Sequence, residues 1–279
     1  MSDASPFIAH NGFALPAQGL GTYGFRGEAG ADAVRSGIEN GYRLIDSAFN
    51  YENEGAVGWG ISGAAVDRAE LIVTSKLAGR HHARAKALDA IEESRFRLGV
   101  DAIDLFLIHW PLPRVDAYVE AWQALIEARE RGLVRQIGVS NFLPEHLERI
   151  EDATGVRPVV NQIELHPRFP QEEALAYHRA HGIITEAWSP LGRAGEALED
   201  PAISTVATAH GITPAQAVLA WHAARGVVAI PKAATVVHQA LNLAAAQVRL
   251  SAAEIAAITS LGAPDGRLWG ADPATHEEF

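Results

Sequence analysis

Short aliphatic or β-branched runs alternate along the chain with longer segments of helical periodicity, from about Leu20 to Leu250. The runs are Leu20–Thr22, Tyr42–Ile45, Leu71–Ser75, Asp104–Ile108, Gln136–Val139, Val159–Asn161, Ile183–Ala187 and Val227–Ile230. Between them, positions such as Tyr118, Trp122, Leu125 and Arg129 recur at three- and four-residue steps, the spacing of one helix face. Pro144 ahead of Leu147 and Ile150 suits the first turn of another helix. Strand and helix alternating in this way predict parallel strands joined by crossover helices. Eight such units follow one another without a composition break, a Pro/Gly/Ser-rich linker or a low-complexity tract. They predict an α/β fold, a single (β/α)8 TIM barrel in which residues 1–279 form one domain. Phe7–Leu15 carries Asn11-Gly12 between apolar residues, the pattern of a β-hairpin that precedes the barrel and can plug its floor. After the eighth strand, Leu241–Ile258 reads as mostly helical and is followed by a short Gly- and Pro-bearing C-terminal tail containing Trp269.

In a barrel of this class the chemistry collects where the strands end, because the loops from all eight meet there. The predicted strands run out into Asp46, Lys76, His109, Ser140 with Asn141, Gln162, Trp188 and Lys232. So many reactive side chains at strand ends predict an active site on that face.

Composition narrows the chemistry. The 279 residues are 48% hydrophobic and 20% charged, with a mean hydropathy of +0.01, which is the balance of a globular chain, neither disordered nor membrane-embedded. With no cysteine, a disulfide framework, thiolate zinc sites and cysteine nucleophiles are excluded. The net charge of −11 argues against nucleic acid as a partner, since phosphate backbones are bound by cations. Met1–Pro6 lacks the basic patch and apolar run of a secretory signal, so a cytoplasmic location is expected. Of 23 basic residues only Lys76, Lys86 and Lys232 are lysines. A lysine at a strand end therefore departs from the chain's own usage, and lysine offers a compact charge with a movable pKa.

Asp46 and Tyr51 lie on the segment after the second strand, Lys76 ends the third and His109 ends the fourth. Consecutive strand ends bring a carboxylate, a phenol, an ammonium and an imidazole together. An ammonium beside a phenol favours the phenolate and so improves a poor proton donor, and a carboxylate holds that ammonium in place. The imidazole can orient a carbonyl oxygen against the phenol. Taken singly, each residue has an ordinary structural use: a surface tyrosine, a hydrogen-bonded histidine, an Asp–Lys ion pair. Other motifs carry less. Gly19-Leu20-Gly21-Thr22-Tyr23-Gly24 fits the dinucleotide pattern G-x-G-x-x-G but lacks the strand before it and the helix after it, so a close-packed turn at a barrel strand is expected. His81-His82 have no metal-site spacing around them, and no metal is expected. His166 in Glu164-Leu165-His166-Pro167 reads as support for a turn, and Gly60-Ile61-Ser62-Gly63 falls short of a nucleophile elbow.

Taken together, the ordered motifs resemble the aldo-keto reductase superfamily over essentially the full length, most closely bacterial members similar to diketogluconate reductases. The segments are Gly41-Tyr42-Arg43-Leu44-Ile45-Asp46-Ser47-Ala48 with Tyr51 and Asn53-Glu54, Thr74-Ser75-Lys76-Leu77, Leu107-Ile108-His109-Trp110-Pro111, Ile137-Gly138-Val139-Ser140-Asn141-Phe142, Asn161-Gln162-Ile163-Glu164 and Ile230-Pro231-Lys232. The resemblance implies NAD(P)H-dependent reduction of an aldehyde or ketone, such as a small carbonyl, a dicarbonyl or a keto-sugar. It implies Tyr51 as general acid, tuned and held by Lys76 and Asp46, with His109 orienting the substrate carbonyl and Tyr23, Tyr51, His109 and Trp110 contacting substrate. It places Trp188 against the nicotinamide and Ser140, Asn141 and Gln162 on its carboxamide. Gly21, Thr22, Tyr23, Asp46, Ser189, Leu191, Gly192, Lys232, Ala233, His238 and Asn242 complete the implied cofactor contacts, Lys232 at the adenosine phosphate. A monomer acting on a small-molecule carbonyl substrate, with no nucleic-acid or membrane partner, is the expected form.

Three departures from the family pattern shape expectations. Where relatives commonly carry Lys-Ser and then Arg, this chain has Lys232-Ala233 and His238, so NADPH preference should relax towards use of NADH as well. Ala78 replaces a common Trp after Leu77 and should widen one wall of the substrate pocket. The short tail after Leu261 implies a reduced lid, with Trp269 as the residue to close over substrate. Two alternatives stay open at this point: a non-catalytic nucleotide-binding or structural member of the superfamily, and a sugar-phosphate barrel enzyme using Gly192-Arg193-Ala194-Gly195.

Overall fold

A computed structural model describes residues 6–192 and 195–278. Two short strands, β1 (Phe7–Ile8) and β2 (Ala14–Leu15), pair antiparallel as the predicted hairpin. Eight parallel strands follow: β3 (Leu20–Gly21), β4 (Leu44–Asp46), β5 (Ile72–Leu77), β6 (Ile103–Ile108), β7 (Val134–Ser140), β8 (Val160–Glu164), β9 (Ile184–Trp188) and β10 (Val227–Ala229). Each pairs with its sequence neighbour, and the sheet closes on itself: Gly19 N donates to Ala229 O at 2.9 Å and Gly21 N to Pro231 O at 3.0 Å. Every predicted strand is present, with ends displaced by up to three residues. Among the described residues, ten α-helices cover the outside, from α1 (Gly27–Asn40), α2 (Glu54–Ser62) and α3 (Arg84–Leu98) to α4 (Tyr118–Glu130), α5 (Pro144–Thr154) and α6 (Glu172–His181). They continue with α7 (Pro201–His210), α8 (Pro214–Ala224), α9 (Val236–Ala245) and α10 (Ala252–Thr259). Pro144 opens α5 at its first turn, where a missing N–H costs nothing.

The period-two alternation of a strand decides what fills the barrel. On the inward faces, Leu44, Leu105, Leu107, Val160, Ile184, Val228 and Ile230 form one apolar cluster, and the hairpin residues Ala9 and Leu15 join it from below. Outward residues such as Ile45, Val73, Phe106, Ile108, Ile137 and Val139 pack under the helices. Two residues further along the inward face the lining turns polar: Leu44 gives way to Asp46, Leu107 to His109, Val160 to Gln162 and Ile230 to Lys232. Gly19 belongs to this packing, since a Cβ there would lie 2.8 Å from both Leu44 and Ile230 side chains. The G-x-G-x-x-G match is thus barrel wall, as its context suggested. Among the described residues, no helix is long and apolar enough to cross a membrane.

Candidate active site

A cleft of about 710 Å³ opens at the C-terminal ends of the strands, within the size range of small-molecule and cofactor sites. Asp46 ends β4, Lys76 lies near the end of β5, and Tyr51 sits on a 3₁₀ turn, Phe49–Tyr51, just after β4. That turn is tied down by polar contacts: Thr22 Oγ1 donates to Asp46 O at 2.9 Å, Asn53 Nδ2 to Thr22 O at 2.7 Å, and Ser47 Oγ to Asn53 Oδ1 at 2.8 Å.

Lys76 is sealed under the cleft. Its Nζ donates to Asp46 Oδ1 at 2.7 Å, to Asp46 Oδ2 at 2.8 Å and to Ser47 O at 2.9 Å. The same Nζ lies 5.1 Å from the centre of the Tyr51 ring. Burial works against the Lys76 charge, but Asp46, Tyr51 and Glu186 outweigh it and the net shift is upward. The Tyr51 ring stands edge-on to His109 at 5.9 Å and to Tyr23 at 5.1 Å between centroids. Burial pushes the Tyr51 phenol above its usual range, Lys76 pulls it back, and Asp46 and Glu278 add to the rise. The simple expectation that the ammonium would lower the phenol is therefore incomplete, because Asp46 and Glu278 oppose that pull and desolvation exceeds it.

Gln162 Nε2 donates to Asp46 Oδ2 at 2.9 Å and to Glu186 Oε2 at 2.7 Å. Two carboxyl groups fix which end of the amide is the donor, so Gln162 leaves its Oε1 as the acceptor for the cleft. Glu186 is fully enclosed, and burial together with the nearby Asp46 charge raises its carboxyl to about 8. Sequence reading passed over Glu186, although period-two alternation puts it on the inward face with Trp188. Asn141, at φ +63, ties two strand ends: its Nδ2 donates to His109 O at 3.0 Å and its Oδ1 accepts from Trp188 Nε1 at 2.7 Å.

Of the residues singled out from sequence, Gly21, Thr22, Tyr23, Asp46, Tyr51, His109, Trp110, Asn141, Gln162, Trp188, Ser189, Leu191 and Lys232 line the cleft. Lys76 lies beneath it. Ser140 turns its hydroxyl to Gln162 O at 2.8 Å. Gly192, Ala233, His238 and Asn242 are not among the residues lining this cleft, and His238 is an exposed residue in the first turn of α9. Pro190, Ile230, Pro231 and Trp269 complete the wall. His166 Nε2 sits 3.1 Å from Glu164 Oε1, beside the bridge between His166 and Phe169, in keeping with a turn-supporting role. The phosphate-loop candidate falls partly outside the described residues, at Arg193 and Ala194.

Ala78 is fully buried in the main hydrophobic cluster and is not among the residues lining the cleft. The short tail reaches the cleft, and Trp269, the residue expected to close over substrate, lines its wall. Trp269 stacks on Trp188 at 6.1 Å with 13° between planes, and His276 lies 4.2 Å from Trp110. Arg114 N donates to Glu277 Oε1 at 2.7 Å, and Glu278 Oε1 reaches to 2.8 Å from His109 Nδ1.

An eight-stranded barrel with a buried Asp–Lys pair under a tyrosine and a histidine, in a cleft large enough for a dinucleotide's reactive end, defines a class of oxidoreductase. The chain belongs to the aldo/keto reductase family, whose model matches residues 19–263. It is 50% identical over 267 residues to the 2,5-diketo-D-gluconic acid reductase B of Corynebacterium sp. (strain SHS752001), covering 96% of this chain and 95% of that one. It is 41% identical over 274 residues to the methylglyoxal reductase DkgA of Escherichia coli (strain K12), covering 98% of each. A crystal structure of a Gox0644 mutant in complex with NADPH superposes with a TM-score of 0.93 at 42% identity, over 98% of this chain and 99% of that one. The protein is an NAD(P)H-dependent oxidoreductase acting on carbonyl groups, and the non-catalytic alternative is set aside.

Proposed function

We propose that this protein reduces small aldehydes, α-dicarbonyls or keto-sugars, with Tyr51 as proton donor. The observation that carries this reading is the buried Lys76–Asp46 pair, with the Lys76 charge over the Tyr51 ring and His109 edge-on to that ring. When bound, the reduced nicotinamide supplies a hydride to the carbonyl carbon. Tyr51 Oη gives its proton to the carbonyl oxygen, and the Lys76 charge stabilises the phenolate left behind. Asp46 holds Lys76 in place, and His109 orients the oxygen against Tyr51.

The donor set fits the cofactor. Gln162 Oε1 is an acceptor for a carboxamide NH2, the Trp188 ring offers a flat face, and the Lys232 charge lies at the cleft beside Gly24 and Phe25. Ser140 and Asn141 act chiefly through Gln162, His109 and Trp188, holding these groups in place. NADPH is the preferred cofactor, with NADH accepted, because Ala233 offers no hydroxyl donor and His238 no bidentate cation for a 2′-phosphate. Support for NADPH comes from the relative solved with it. We further read the protein as a cytoplasmic monomer without nucleic-acid partners, supported by its acidic charge and lack of cysteine.

The test is a panel of aldehydes, α-dicarbonyls and keto-sugars assayed with NADPH and NADH at several salt concentrations. Steady NADPH oxidation with a dicarbonyl is expected, with kcat/KM for NADH within about tenfold, the equivalent of one charge-assisted contact. A hundredfold advantage for NADPH would contradict the dual-use reading, and no turnover on any carbonyl would contradict the substrate class.

A further inference from the structure

We propose that Glu186 is a positioning residue for the cofactor site: with Asp46 it clamps the Gln162 amide from two sides and fixes the Oε1 that receives the nicotinamide carboxamide. This rests on the reading above that Gln162 accepts from that carboxamide. Gln162 on β8 and Glu186 on β9 are register partners in adjacent strands, while Asp46 on β4 lies four strands from β8, across the barrel. One amide nitrogen meets both: Gln162 Nε2 donates to Asp46 Oδ2 at 2.9 Å and to Glu186 Oε2 at 2.7 Å. An amide nitrogen carries two hydrogens, so the two carboxyl groups engage both. A single contact would let the amide turn about the line to Asp46. The second contact, from a different wall, removes that freedom and sets the direction of Oε1.

The surroundings of Glu186 point to this role. Its Oε1 is enclosed and has no hydrogen-bond partner among the described residues, so the side chain's one directed contact is to Gln162. A carboxyl buried for a single hydrogen bond is a costly way to fill a barrel wall, and Val228, its register partner on β10, shows that an apolar side chain packs at this level. Asp46 from β4, Lys76 from β5 and Gln162 from β8 face the group. Burial and the Asp46 charge raise its carboxyl to about 8, against the opposing pulls of Gln162 and Lys76. At neutral pH it therefore meets Gln162 as a neutral acid, with Oε2 accepting and the proton on Oε1. Glutamine would reproduce that state, with the same shape, no charge and an oxygen for Gln162. Two residues further along β9, Trp188 lines the same cleft, so one strand positions both the flat face and the amide offered to the nicotinamide.

The experiment uses the full chain and the variants Glu186→Leu, Glu186→Gln and Gln162→Met. Affinity is measured by fluorescence for NADPH and by competition for 2′-phospho-ADP-ribose, which keeps the adenosine and the phosphates and lacks the nicotinamide. In Glu186→Leu the NADPH affinity should fall about 3- to 10-fold, the worth of one hydrogen bond, while 2′-phospho-ADP-ribose binds within about twofold of the wild type. Glu186→Gln should bind both ligands as the wild type does. Adding Glu186→Leu to Gln162→Met should change nothing further, because Glu186 acts through that amide. Glu186→Val replaces Glu186→Leu if circular dichroism shows the latter unfolded. Unchanged NADPH affinity in Glu186→Leu, equal weakening of both ligands, or a loss in Glu186→Gln as large as in Glu186→Leu would overturn the proposal. If Gln162→Met itself leaves NADPH affinity unchanged, the role given to Gln162 fails first; if it weakens NADPH binding while Glu186→Leu does not, only the Glu186 role fails.

Discussion

Asp46 chelates Lys76: both carboxylate oxygens lie within 2.8 Å of Nζ, and both side chains are buried. Breaking one partner leaves the other charge buried. Asp46→Asn should therefore cost about 3–5 kcal/mol of stability and nearly all reductase activity. The double change Asp46→Asn with Lys76→Met should recover most of the stability without recovering activity. Urea unfolding and NADPH oxidation on the same preparations separate the two effects, and recovered activity in the double variant would contradict the role of the ammonium.

Glu186 links stability to pH. Its carboxyl is raised to about 8 in the folded chain, so the native state binds this proton more tightly than the unfolded chain does. Its contribution to stability is full below about pH 4 and falls as pH rises towards 8. Glu186→Gln should flatten that slope by roughly 1 kcal/mol or more between pH 5 and 8. Urea midpoints at the two pH values give the slope for each protein, and parallel slopes would contradict the assignment.

Much of this arrangement was legible in the chain. Every barrel strand was visible because each is a short apolar run between helical patterns, and the strand ends carried Asp46, His109, Gln162, Trp188 and Lys232 into one cleft, with Lys76 beneath it. Glu186 was readable in principle, since alternation places it inward beside Trp188, but within an apolar run it looked like an interruption. Glu278 left no local signal. Its partner, His109, follows β6 far away in sequence, and only the path of the tail across Gly79 brings them together.

Restoring the 2′-phosphate contacts should restore cofactor preference. Ala233→Ser combined with His238→Arg is expected to raise the NADPH-to-NADH ratio of kcat/KM by about tenfold or more, the worth of a charge-assisted hydrogen bond. An unchanged ratio would show that selectivity is set elsewhere in the cleft.

Trp269 stacks on Trp188 while staying 63% exposed. Trp269→Ala should leave stability within about 0.5 kcal/mol, raise KM for small dicarbonyls and favour bulkier keto-sugars. Comparing kcat/KM for one substrate of each kind tests this, and an unchanged ratio would remove Trp269 from substrate selection.

The most direct measurement is turnover of Tyr51→Phe, which removes one oxygen and keeps the ring against Lys76 and His109. Circular dichroism and NADPH affinity should match the wild type while kcat falls by about 10²–10⁴, the worth of a positioned proton donor. Wild-type turnover in Tyr51→Phe would contradict the assignment of Tyr51 as the proton donor.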